Sequence, residues 1–246
     1  LRYDFIDQYS DIDSPIHRLD PRIKIISTLI AIGIIASEDA ARFKYFSLYF
    51  ALIALLIVIS RLPLRYILKR CLIVSPFIVM AAIFLPISQL LTHNIPYTFQ
   101  HLAIPSIVIL CRAYLAVILL ILMTSTDKFH RILLALRKLK LPKLLGIISA
   151  LIYRYLFLLL DEAAKTTWAR ESRTFGKLKI HKFKVYGYQM AMIFLRSWER
   201  AKSIHRAMLS RGFNGEFPET HNLNLTVSDI CKSSLFIAIL FTIRLL

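Results

Sequence analysis

Apolar residues gather along this chain in five long runs, at about 23–37, 43–60, 67–91, 104–124 and 229–246. Each approaches the roughly 20 residues of helix needed to cross a bilayer core of about 30 Å, so the pattern predicts five membrane-spanning helices. The first run opens with "HRLDPRIK". There Asp20 is placed to accept from the free amides of the first turn, and Pro21 suits a helical position whose amide would have no partner. Pro76 and Pro86 fall inside the third run, which predicts a kink there or a break into two pieces.

Between the fourth and fifth runs the pattern turns mixed but stays periodic. In "KFHRILLALRKLKLP" the residues Phe129, Ile132, Leu133, Leu136 and Leu139 share a face, with Arg131, Arg137 and Lys138 elsewhere. That is an amphipathic helix stopped before Pro142. "KLLGIISALIYRYLFLLLDEAAKTTWARESRTFG" begins with about 17 mostly apolar residues, interrupted by Arg154, and turns polar near Asp161. A third helix, from about Gly187 to Ser210, carries Met190, Phe194, Trp198, Ala201, Ile204 and Met208 at steps of three or four. Arg196, Arg200 and Arg206 lie off that stripe, and Gly212 follows as a C-terminal cap. The stripe is expected to face the other polar helix, a membrane span or a partner subunit, as ordinary packing. The chain thus reads as an all-α polytopic membrane protein: N-terminal membrane helices in 1–124, a polar helical region in 125–228 and a C-terminal membrane helix in 229–246.

Composition agrees, because 57% of the residues are hydrophobic, above the 45–50% typical of soluble domains. Charge then sets the sidedness. The connection after the second run holds Arg61, Arg65, Lys69 and Arg70, whereas "LTHNIPYTFQHLAIP" after the third holds no Lys or Arg. By the positive-inside rule the first is cytoplasmic and the second external. The same rule puts the N-terminus inside with Arg18, Arg22 and Lys24, together with the polar region, where 19 of the 32 basic residues lie. A sixth span in that region would put its basic segments on opposite faces, so the rule disfavours one. A formal charge of +17 on such a chain points to anionic lipid or an acidic protein surface rather than nucleic acid. Cys71, Cys111 and Cys231 are scattered and form no disulfide or zinc framework. The first run lacks a cleavage pattern and is expected to remain as an anchor.

Two helix ends repeat one another. "ARESRTFG" closes with Ser172, Arg173 and Thr174, and "AMLSRGFNG" with Ser210, Arg211 and Gly212, each an arginine between small residues with Phe following. An arginine so placed reaches outward without steric cover, and its planar guanidinium can hold a carboxylate through two parallel hydrogen bonds. Two such ends suit two equivalent acidic pockets on a dimeric or pseudo-symmetric partner. A plainer role is complementing the helix dipole.

Arg112 lies within a span and is expected to face a partner or the protein interior. His93 and His101 share the external connection, a weak signal for a metal site. Asp161 and Glu162 are read as ion-pair partners within the protein, because adjacent helical positions do not face each other. Glu199 with Arg196 or Lys202 reads as a solvated surface arrangement. The chain has no GxxxxGK[ST] phosphate loop, HExxH or GxSxG.

Nearly the whole chain resembles the transmembrane coupling (T) component of energy-coupling factor (ECF) transporters, the cobalt-type CbiQ branch nearest. "HRLDPRIK", "LKLPKLLGIISALIYRYLFLLLDEA" and "SWERAKSIHRAMLSRGF" carry the resemblance. Its most specific element is a pair of Ala-Arg-Gly-like motifs, matched here at Arg173 and Arg211, with Arg170 in "WAR" a rival for the first.

The resemblance implies a non-catalytic subunit of an ATP-driven importer in a bacterial or archaeal cell membrane. Its partners would be two ABC ATPase subunits docking on the two arginine-bearing ends, a substrate-capturing membrane subunit (S component) and a small accessory membrane subunit. ATP and magnesium would sit on the ATPases, with no cofactor or metal on this chain. Cobalt is the expected cargo, with nickel or a vitamin as alternatives. Two readings from other classes compete: an integral-membrane enzyme acting on phospholipid headgroups, and a scaffold held to anionic lipid by its basic helices.

Overall fold

A computed structural model of the chain describes residues 9, 10, 12–38, 45–92, 99–173, 182–215 and 225–245, with side chains described to 84 in the third helix, from 105 in the fourth and from 184 in the seventh. Among the described residues there are eight α-helices and no strand: α1 Pro21–Ala36, α2 Phe46–Ser60, α3 Leu64–Thr92, α4 Phe99–Ser125, α5 Phe129–Lys138, α6 Lys143–Arg173, α7 Lys182–Ser210 and α8 Val227–Leu245. They form two compact units, one of α1 to α4 with α8 and most of α5, the other of α6 and α7.

In the first unit α4 is the central element, touching α1, α2 and α3, while α8 packs on α1 and α2. Ile34, Ile35, Tyr49, Ile53, Leu115 and Leu240 anchor a core drawn from four of these helices. α3 runs as one helix through Pro76 and Pro86, which excludes the break that was one of the two outcomes the prolines allowed. α4 likewise starts at Phe99 and carries Pro105 inside it, earlier than the apolar run implied. Inside a bilayer an unwound backbone would leave amides and carbonyls unsatisfied, so the helix persists past a proline that would end it in water.

By length and apolarity, α3 (Leu64–Phe84), α4 (Pro105–Ser125) and α6 qualify as membrane spans among the described residues, and α2 is a shorter apolar helix. α8, with 19 residues, keeps Asp229, Lys232 and Arg244. α6 meets the criterion although the charge pattern disfavoured a sixth span; only 6% of its apolar window is buried.

α1 begins as its sequence predicts, with the Asp20 carboxylate accepting from the Arg22 amide at 2.9 Å and Pro21 in the first turn. Its 16 residues rise only about 24 Å, less than the hydrocarbon thickness. Just past its far end the chain is held from two helices: Arg112 Nη2 of α4 donates to the backbone carbonyl of Glu38, and Tyr49 Oη of α2 donates to the buried Glu38 carboxylate at 3.2 Å. Arg112 thus places a cation just beyond the negative end of a short helix, where it offsets the dipole.

At the other end of α1, Lys24 Nζ donates to Asp127 Oδ2 at 2.5 Å, both side chains being buried. Arg131 on α5 lies 3.6 Å from the second carboxylate oxygen. This pair joins the first turn of α1 to the residues just past α4. Just upstream, the buried His17 ring sits between Ser14 Oγ, at 2.6 Å, and the Tyr9 carbonyl, to which Nε2 donates at 3.1 Å.

In the second unit α6 and α7 run antiparallel. Arg196 donates to the Glu162 carboxylate, Gln189 donates to Thr167 at 2.7 Å and accepts from Arg170 at 3.1 Å, and the Arg170 guanidinium stacks 4.5 Å from the Tyr186 ring. Before α6 the chain turns at Lys140, at φ 72°, and the Leu141 amide donates to the Leu136 carbonyl at 3.1 Å. The Arg137 side chain then lies across Gly146 so closely that a Cβ there would meet its Cγ at 2.7 Å.

Candidate functional site

The two arginine-bearing ends share more than their sequence. In each, a serine hydroxyl turns back to the carbonyl of an alanine three residues earlier, Ser172 to Ala169 and Ser210 to Ala207, both at 3.0 Å. The repeat is therefore Ala-x-x-Ser-Arg. Satisfying the hydroxyl within its own helix keeps it from competing for the neighbouring guanidinium. Arg173 and Arg211 are exposed and form no ion pair or side-chain hydrogen bond among the described residues. Thr174 lies outside the described residues.

Arg170 has a different role. It is half-buried, bonded to Gln189, stacked on Tyr186 and 3.6 Å from Glu171. It braces the helix pair, leaving Arg173 as the outward group.

The end of α7 is a complete Schellman motif. The Gly212 amide donates to the Leu209 carbonyl and the Phe213 amide to the Met208 carbonyl, both at 3.0 Å, with Gly212 at φ 78°. Arg211 is thereby fixed at the helix edge. A Cβ at Gly212 would meet nothing within 4 Å, so only backbone conformation opposes a side chain there. Gly212→Ala is expected to lower helix stability by about 1 kcal/mol. Gly187→Ala, in the helix interior with equal space, is expected to raise it by about 0.5–1 kcal/mol. Thermal unfolding of the two variants in detergent, read by far-ultraviolet circular dichroism, checks the opposite signs.

Because α6 and α7 pair antiparallel, their C-termini point opposite ways. Arg173 lies beside the start of α7 and Arg211 just past its end. The 29 residues of α7 rise about 44 Å, so the two arginine-bearing helix ends stand roughly 40 Å apart along the pair. The arrangement holds two outward cations well apart, one at each end of the helix pair.

The apolar stripe of α7 divides. Ile204 and Met208 help line a groove against Leu151, Tyr155 and Leu159 of α6, while Met190 (66% exposed), Phe194 (66%) and Trp198 (55%) face away from it. Packing on α6 is thus seen for the second half of the stripe. Arg196 pairs across the helices with Glu162, not with its neighbour Glu199 as the sequence suggested; Glu162 is the ion-pair partner that its position implied. No group of three or more His, Cys, Asp or Glu gathers as a metal site among the described residues. His93 lies outside them, and the side chain of His101 is not described.

Residues 13–222 match the family model described as CbiQ, cobalt transport protein. The chain belongs to this family. A CbiQ-family assignment accounts for the length of the match, which takes in "HRLDPRIK" and both arginine motifs. The chain is 28% identical to an uncharacterized protein of Methanocaldococcus jannaschii, over 92% of this chain and 80% of that one. It is 27% identical to the energy-coupling factor transporter transmembrane protein EcfT of Macrococcus caseolyticus, over 87% and 86%, and 27% identical to EcfT of Bacillus subtilis, over 85% and 84%. These EcfT relatives are named as transporter components, and the similarity gives no indication of enzymatic activity in this CbiQ-family chain. Sequence reasoning missed the Lys24–Asp127 pair, since Lys24 counted only toward the sidedness of the N-terminus.

Proposed function

We infer that this chain is the transmembrane energy-coupling subunit of an ECF-type importer, passing ATP-driven motion from two cytoplasmic ATPases to a substrate-capturing membrane subunit. The observation that carries the reading is the pair of Ala-x-x-Ser-Arg ends, each with an unpaired, exposed arginine, about 40 Å apart on one braced helix pair. Ser172, Arg173 and Thr174 dock one ATPase, and Ser210, Arg211 and Gly212 the other. Each guanidinium takes an acidic group in a groove.

Glu162–Arg196, Gln189–Thr167 and Arg170–Tyr186 tie α6 to α7, so displacement at one end is carried along the pair rather than absorbed. Closure of the ATPases on ATP then selects one of two positions of this element through contacts that differ between the states. ATP and magnesium belong to the ATPases, and this chain binds no cofactor. The N-terminus and the coupling helices are cytoplasmic, following the basic residues. Cobalt is the proposed cargo, on the family's description as cobalt transport proteins.

The test is capture of the tagged full chain from its native membrane in mild detergent, followed by mass spectrometry and an ATPase assay. Two ATPase subunits and a polytopic substrate subunit are expected with the chain. Recovery of other intact membrane complexes without any ATPase would overturn the coupling reading and favour the lipid-facing ones.

A further inference from the structure

The helices of the first unit converge at one end and separate at the other. Toward the ends of α1 and α8 they close in the core built around Ile34, Ile35, Leu240 and Ile243. Where α1 and α8 begin and α2 and α4 finish, they leave a cavity of about 260 Å³. Its walls are mainly apolar, from residues such as Ile23, Leu56, Leu119, Leu122 and Phe236.

The polar groups in the wall are mostly spent. Ser27 donates to the Lys24 carbonyl, Thr126 to the Met123 carbonyl and Ser233 to the Ile230 carbonyl, and Lys24 is committed to Asp127. Lys232 differs: it borders the cavity, is exposed and forms no ion pair among the described residues.

An apolar chamber with one free cation at its rim suits an amphipathic anion. The position narrows the choice. Lys232 lies in the second turn of α8, Lys24 in the first turn of α1 and Thr126 just past the apolar span of α4; with these helices read as spanning, the rim falls at a membrane interface and the chamber in the acyl region. We propose that this crevice holds an acidic phospholipid of the surrounding membrane, one acyl chain entering between α1, α2, α4 and α8 and the phosphate resting on Lys232. The proposal rests on the membrane placement of the helices, not on ATPase coupling, so it stands or falls separately from that reading.

The test is native mass spectrometry of the full chain in mild detergent with equal amounts of phosphatidylglycerol and phosphatidylcholine. Wild type is expected to retain one phosphatidylglycerol, preferred roughly fivefold, the attraction of one lysine for an anionic headgroup. Lys232→Gln, an exposed change that leaves the fold alone, should erase the preference. Ser233→Trp, which fills the chamber, should reduce retention of both lipids. Equal retention of the two lipids by wild type, no retained lipid, or an unchanged preference in Lys232→Gln would overturn the proposal.

Discussion

Charge reversal at both motif arginines, Arg173→Glu with Arg211→Glu, is expected to abolish ATP-driven uptake while leaving the chain folded and inserted. Truncating one member of a buried, hydrogen-bonded charge pair at an interface costs about 2–5 kcal/mol, and facing a carboxylate with another adds like-charge repulsion of several kcal/mol. At 1.4 kcal/mol per factor of ten, even one reversed end should weaken docking by more than about a hundredfold. On the proposed coupling role, two reversed ends leave no strong site for either ATPase. Neither arginine has a partner among the described residues, so the protein itself loses little. Helix content and thermal stability should match wild type. Arg211→Lys separates charge from geometry: it keeps the cation but loses the planar fork, and should fall between wild type and reversal. Arg170→Glu provides the contrast, since it strips the Gln189 and Tyr186 contacts and should loosen the α6–α7 pair, lowering thermal stability as well as uptake. Uptake of labelled cobalt into cells, with membrane abundance measured in parallel, reads these outcomes. Normal uptake by the double variant would remove the arginines from the docking role.

The features legible in the sequence are those fixed within a few residues. Asp20 and Pro21 announce the start of α1 because a cap and its amides are neighbours in the chain. Gly212 announces the end of α7 for the same reason, since only a residue tolerant of positive φ closes a Schellman motif without strain. The two Ser-Arg ends are visible as a repeat; that each serine bonds back to an alanine three residues earlier shows only in the folded helix. What failed was long-range or direction-dependent. Arg196 has Glu199 three residues away, the local rule's natural partner, yet Glu162 on the facing helix wins. Met190, Phe194 and Trp198 share the period of Ile204 and Met208, but a period gives a face and not what covers it. Of the two outcomes Pro76 and Pro86 allowed, the break did not occur, because the rule for water, that an unpaired backbone group finds solvent, does not hold where the solvent is hydrocarbon.

The Lys24–Asp127 pair was least legible, since its partners stand 103 positions apart, and it makes the largest stability prediction. Lys24→Met should destabilise the first unit by about 3–5 kcal/mol near pH 8, because it leaves a buried carboxylate without its main counter-charge. The double variant Lys24→Met/Asp127→Leu should recover to near wild type, as a buried pair replaced by apolar groups of similar volume often costs nothing. The pH dependence distinguishes a lost charge pair from a simple packing defect. Burial pushes the Asp127 carboxyl above the ordinary carboxylate range, and the neighbouring Lys24 ammonium holds it partly down. Removing that ammonium lets it rise further. A carboxyl whose folded pKa exceeds its unfolded value of about 3.9 binds its proton more tightly when folded. Its contribution to stability is full below the unfolded value and is lost as pH rises through the folded one. Lys24→Met should therefore lie closest to wild type near pH 4–5 and fall progressively behind toward pH 8, whereas the double variant should track wild type more evenly. Thermal unfolding in detergent across that range measures both. A deficit in Lys24→Met that stays constant with pH would mean that packing, and not the buried charge pair, joins α1 to the end of α4.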